Sequence, residues 1–95
     1  MTEFLIELYV SRTDHDTVSR HAERARRAAA ELTGEGTPVR YVRSIFVPED
    51  ETCFLLFEAG SVGAVREAAH RAALAYEHVA ETAPFTQLDQ SHGGS

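Results

Sequence analysis

An α+β sandwich is predicted, with its elements in the order β-α-β-β-α-β, and three observations predict it. The chain has 95 residues, enough for one domain of ordinary size and too few for two. Residues 4–10 and 39–59 carry the alternation and the β-branched, aromatic content of strands. Two further segments, one after residue 13 and one after residue 61, repeat apolar residues at spacings of three and four, the period of a helix face.

The first strand runs over 4–10, with Phe4, Ile6, Leu8 and Val10 on one face and Leu5, Glu7 and Tyr9 on the other. Thr13-Asp14-His15-Asp16 places a hydroxyl three residues before an acid and predicts the start of the first helix. Val18, Ala22, Ala25, Ala29 and Leu32 then form a narrow stripe of small residues that lets the helix lie close to a sheet. Arg20, Glu23, Arg24, Arg26, Arg27 and Glu31 take the wet side. The run from Thr33 to Pro38 stops the helix, because glycine supplies a left-handed cap and proline cannot continue the helix. Val39 to Val47 and Thr52 to Ala59 read as a hairpin joined by Pro48-Glu49-Asp50-Glu51. Gly60-Ser61 breaks the strand and caps a second helix with Val62, Val65, Ala69 and Ala72 on its apolar face, ending near Ala73. Tyr76 to Thr82 forms the last short strand.

This order is the split βαβ arrangement of ferredoxin-like folds, a four-stranded antiparallel sheet with both helices on one face. A folded domain over 1–83 and a flexible C-terminal tail over 84–95, polar and glycine-bearing, follow from it. With Cys53, Leu55 and Phe57 turned to the helices, Phe54, Leu56 and Glu58 join Leu5, Glu7 and Tyr9 on the opposite face. That face is too apolar for open water and too polar for a sealed core. A second copy pairing on it, as in a dimeric α+β barrel, is the simplest cover.

The net charge of −6 repels phosphate backbones and anionic lipid, so nucleic acid and membrane are not expected partners. No stretch reaches the apolar length of a membrane span, and the first residues lack a signal-peptide pattern, which makes the cytoplasm the expected location. Cys53, alone and set among apolar neighbours, is expected to be a buried structural thiol.

Half-buried carboxylates need a cation, a donor network or a proton, which makes Glu7 and Glu58 the leading site candidates. Either each pairs with an arginine such as Arg40 or Arg43 on the second strand or sits at a solvated edge, or they serve as acid, base or metal ligand in a sheet-face cavity lined also by Tyr9, Tyr41 and Arg43. There is no HxH, HExxH or Cys/His cluster, so a structural zinc site is not expected. Glu67 and His70 stand three apart on the second helix, a spacing that metal sites in bundles use, although Arg66 and Arg71 crowd them. His78 faces the same cavity as Glu7 if the last strand borders the first.

The segment Val39-Arg40-Tyr41-Val42-Arg43-Ser44-Ile45-Phe46-Val47-Pro48-Glu49-Asp50-Glu51-Thr52-Cys53-Phe54, with Leu56-Phe57-Glu58-Ala59 and Val65-Arg66-Glu67-Ala68, resembles the actinobacterial nickel-binding protein family, a small domain of unknown function. The likeness runs from about Glu3 to about Thr82. It implies a ferredoxin-like fold, a homodimer and bound nickel. The chain departs from the family pattern where Ala68 stands in place of a histidine after Arg-Glu, and where Ala73-Leu74-Ala75 stands in place of Gly-Leu-Pro. No ligand is therefore carried over by position.

Two functions are expected. The first is a homodimer binding nickel or another divalent transition metal, with Glu58, Glu67, His70 and His78 as candidate ligands and no organic cofactor. The second is a small cofactor-independent enzyme of isomerase, cyclase or monooxygenase type. It would hold a small hydrophobic molecule against Glu7 or Glu58 as base, with Tyr9 or Tyr41 as hydrogen-bond donor.

Overall fold

The structure, a computed structural model, describes residues 1–83; the expected tail at 84–95 lies outside the described residues. In chain order the elements are β1 (Thr2–Tyr9), α1 (His15–Gly34), β2 (Val39–Val47), one 3₁₀ turn (Pro48–Asp50), β3 (Thr52–Ala59), α2 (Val62–Arg71) and β4 (His78–Glu81). The strands lie in the order β2-β3-β1-β4 and every neighbouring pair is antiparallel. This is the ferredoxin-like sandwich, with both helices on one side of the sheet.

The core follows from the strand period. Phe4, Ile6 and Leu8 of β1 stand opposite Phe57, Leu55 and Cys53 of β3, and all six are buried. From above, α1 brings Ala25, Ala28, Ala29 and Leu32 onto them, and α2 brings Ala64, Val65, Ala68 and Ala69. Alanine at the contact lets helix backbone approach the sheet closely, while Phe57, Ile6 and Leu55 supply the bulk. Two details depart from the periodicity. Ala28 is buried on α1 where Ala22 is half-exposed, and Val62, in the first turn of α2, is 39% exposed while Ala64 and Ala68 are covered. Cys53 is fully buried, and desolvation pushes its thiol up, away from the reactive thiolate.

Helix ends are set by side chains near them. At α1 the cap is Asp14, one residue later than the expected Thr13; its carboxylate accepts from the Thr17 backbone N–H and the Thr17 hydroxyl. At α2 the cap is Ser61, as expected, accepting from the Ala64 N–H. Both helices close in the same way. Thr37 N–H bonds Leu32 C=O and Gly36 N–H bonds Thr33 C=O, with Gly36 left-handed at φ 101°. Leu74 N–H bonds Ala69 C=O and Ala73 N–H bonds His70 C=O, with Ala73 left-handed at φ 56°.

Arg71 clips the two helices together. Its guanidinium bonds both carboxylate oxygens of Glu35 at 2.8 Å, reaches Glu67 at 3.1 Å and stands 3.9 Å from Glu31. These bonds, Glu35's first, push the Arg71 guanidinium up and hold the Glu35 carboxyl below its usual range. Arg24 adds a second tie, its Nε donating to Ala72 C=O at the C-terminus of α2.

One irregularity re-phases the sheet. Tyr41 pairs with Phe57 and Arg43 with Leu56, so Val42 is an extra, bulged residue on β2. Past it the faces exchange: Tyr41 turns to the helices, whereas Arg43, Ile45 and Val47 turn to the open side.

Candidate functional site

The face of the sheet without helices is the candidate site, and the registers order it into four rows. Arg40, Glu58 and Glu3 form one row, with Thr82 at its β4 end donating to the Glu3 carboxylate at 2.7 Å. Arg43, Leu56, Leu5 and Ala80 form the next, followed by Ile45, Phe54, Glu7 and His78, then Val47, Thr52 and Tyr9. The middle of the face is apolar and its flanks carry charge. Leu56, 7% exposed, sits at its centre outside the helix-side core, while Tyr9 at the end of β1 is 60% exposed.

Of the two accounts open for Glu58, the ion pair is the one observed: Arg40 places both Nε and a terminal nitrogen on Glu58 Oε1, at 3.2 and 2.8 Å. Glu7 lies one strand away, opposite Phe54 on β3 and opposite His78 on β4. The condition stated for His78 is met, since β4 borders β1. Arg43 belongs to the face, beside Leu56.

Tyr41 does not belong to it, which corrects the expectation. Strict alternation puts residues 41 and 43 on one face, and the bulge at Val42 separates them. The Tyr41 ring packs edge-on against Phe57 at 6.0 Å, its hydroxyl bonds Ser44 at 2.6 Å, and the Arg26 guanidinium lies over it at 5.3 Å. It is thus unavailable as a donor on the open side.

The four expected metal ligands are not brought together. Glu58 and His78 are on the open face, at positions belonging to different rows and to strands separated by β1. Glu67 and His70 are on α2, across the sheet, where Glu67 is engaged by Arg71. Among the described residues no group of three or more His, Cys, Asp and Glu could hold a metal ion. His21, at the edge of the α1 stripe, is pushed down by burial and then by Arg24, consistent with a neutral ring whose Nδ1 accepts from Arg24 at 3.0 Å. Sequence reasoning missed Glu3 as a member of the face; the two-residue spacing from Leu5 was the signal for it.

A two-layer ferredoxin-like domain with an unpaired, half-apolar sheet face is the architecture that results, and no described helix is long and apolar enough to cross a membrane. The chain belongs to the SCO4226-like family of nickel responsive proteins, whose family model matches residues 4–82. The crystal structure of SCO4226 from Streptomyces coelicolor A3(2) is similar to it, with a TM-score of 0.60 and 20% sequence identity over 88% of this chain and 99% of that one. At that identity the likeness speaks for the fold. No curated protein matches the chain.

Proposed function

We propose that this protein binds a divalent transition metal, nickel foremost, on the open face of its sheet, with Glu7 and His78 as donors and a second copy of the chain as cover. The observation that carries this reading is the cross-strand pairing of Glu7 with His78. Directly opposed residues of antiparallel strands hold their Cβ atoms about 4.5–5.5 Å apart, so a carboxylate and an imidazole there can reach one ion. Unlike Glu58, which Arg40 neutralises, neither Glu7 nor His78 has an ion-pair or side-chain hydrogen-bond partner among the described residues.

Donor type fits the metal, because imidazole suits nickel, zinc and copper, and a carboxylate balances the charge. Donor number points to a dimer, since one chain contributes two ligands and a stable site needs more. An isologous pairing would bring a second Glu7 and a second His78, and would bury Leu5, Leu56 and Phe54. Membership of a family named for its response to nickel supports nickel as the first metal to test. Metal held between two copies would stabilise the dimer by mass action, which couples metal level to assembly. A reducing, cytoplasmic setting suits a fold whose one cysteine is a buried thiol.

Calorimetric titration of the tag-free protein tests this. Nickel should bind with saturable stoichiometry, and Glu7→Gln and His78→Gln should each weaken it by roughly tenfold or more, whereas Glu58→Gln should leave it unchanged. Full nickel affinity in the Glu7→Gln/His78→Gln double variant would overturn the reading. The apolar strip beside Glu7 supports a second occupant, a small hydrophobic molecule transformed without a cofactor, with Glu7 as base and Tyr9 as donor. Turnover by metal-free protein that disappears in Glu7→Gln would move the assignment to that reading.

A further inference from the structure

A further cavity lies on the helix side of the sheet, away from Glu7 and His78. It has a volume of about 580 Å³ and lies where the second half of α1 passes over the start of β2, lined by Arg26, Ala29 and Ala30 from above, Val39 and Tyr41 from the strand, and Pro38 just before it. That volume is within the roughly 300–1,000 Å³ of sites that take small organic molecules. Its walls are largely alkyl and aromatic carbon. No acid lines it, and the two charged residues that do are both arginines, Arg26 and Arg40.

The polar groups in the lining are nearly all committed. Thr33 donates to the Val39 C=O and accepts from the Val39 N–H. The Tyr41 hydroxyl is held by Ser44, and Arg40 is spent on Glu58 across the edge of the sheet. Arg26 is the exception. Among the described residues its one ion-pair partner is Glu23, at 3.7 Å on the exposed side of the helix and shared with Arg27, and its guanidinium carbon lies over the Tyr41 ring, 5.3 Å from the centroid. A guanidinium drawn over an aromatic face by cation–π attraction still has N–H donors for a carboxylate.

We infer that this cavity is a binding site for a small amphipathic monoanion, a carboxylate on an apolar body, with Arg26 taking the carboxylate. The orientation follows from the helix. The C-terminus of α1, at Gly34, carries partial negative charge and disfavours an anion within the last turn, but Arg26 is eight residues upstream, about 12 Å along the axis. The acid group lies at the Arg26 end and the apolar body runs over Ala30 and Pro38 towards the helix terminus. This site meets the open face only at Arg40 and holds whether or not the metal reading does.

Octanoate, 1-octanol and octylamine, titrated into the ¹⁵N-labelled full chain and followed by amide shifts, provide the test. Octanoate should give saturable shifts centred on Ala29, Ala30, Val39 and Tyr41, octanol weaker shifts at the same amides, and octylamine none. Arg26→Gln should weaken octanoate roughly tenfold or more while leaving octanol unchanged, because only the charged hydrogen bonds are lost. Ala30→Leu, at an exposed helix position that fills the cavity, should abolish both. Equal binding of octanoate by the native and Arg26→Gln chains would overturn the inference. So would octanoate shifts confined to the open-face amides of Leu5, Phe54 and Leu56, or no saturable shift at all.

Discussion

Asp14 does two things at once: it ends the loop before α1 and carries a charge whose stability depends on pH. Hydrogen bonds from Thr17, the side-chain hydroxyl first, hold its carboxyl below the usual range, and Arg71 does the same for Glu35. A carboxyl with a lowered folded-state pKa contributes stability that is present above its unfolded value, near ~4, and is lost as pH falls through the folded value. Both groups therefore add to acid sensitivity. Asparagine caps a helix nearly as well without titrating. Asp14→Asn should accordingly show a smaller drop in thermal midpoint between about pH 6 and about pH 3 than the native chain, measured by circular dichroism. An unchanged drop would remove Asp14 from the acid limb. Single residues also show where a sequence stops being legible. The period of two alone puts Glu7, Tyr9 and Glu58 on one face, and the strand registers do the same. Tyr41 was misplaced because a bulge leaves no mark in local composition. The Arg71 clip was invisible because Glu31 and Glu35 are distant in sequence from α2.

Between helices, the informative contrast is how each one stops. Both use the same pair of closing hydrogen bonds, yet α1 places Gly36 at the left-handed position and α2 places Ala73 there. A Cβ in that conformation is strained by roughly 1–2 kcal/mol, and glycine removes most of it. Ala73→Gly should thus stabilise the protein by about 1 kcal/mol in urea unfolding, with an unchanged m-value. Destabilisation would mean that the methyl group makes packing contacts that outweigh its strain. Element existence and order were readable because each strand and helix repeats its period over several turns. Element faces were less so: α2 is too short to average out its ends, and Val62 fell on the stripe by spacing while lying in an exposed first turn. β4 is shorter than expected, yet Glu77 and Thr82 still bond Glu7 and Glu3 backbone oxygens at either end of it.

As a whole, the molecule spends its two helices on one side of the sheet and leaves the other with a greasy middle and charged flanks. On that side a carboxylate and an imidazole from different ends of the chain become neighbours, a juxtaposition that only the β1–β4 pairing creates. In the proposed assembly a second copy closes this face and nickel sits where the two meet. Native mass spectrometry of the tag-free chain, before and after addition of nickel, reports subunit number and metal count together. The expected result is a dimer that takes up a fixed small number of nickel ions and loses them in the Glu7→Gln/His78→Gln variant. A monomer under all conditions, or a dimer whose nickel uptake is indifferent to those two substitutions, would contradict it.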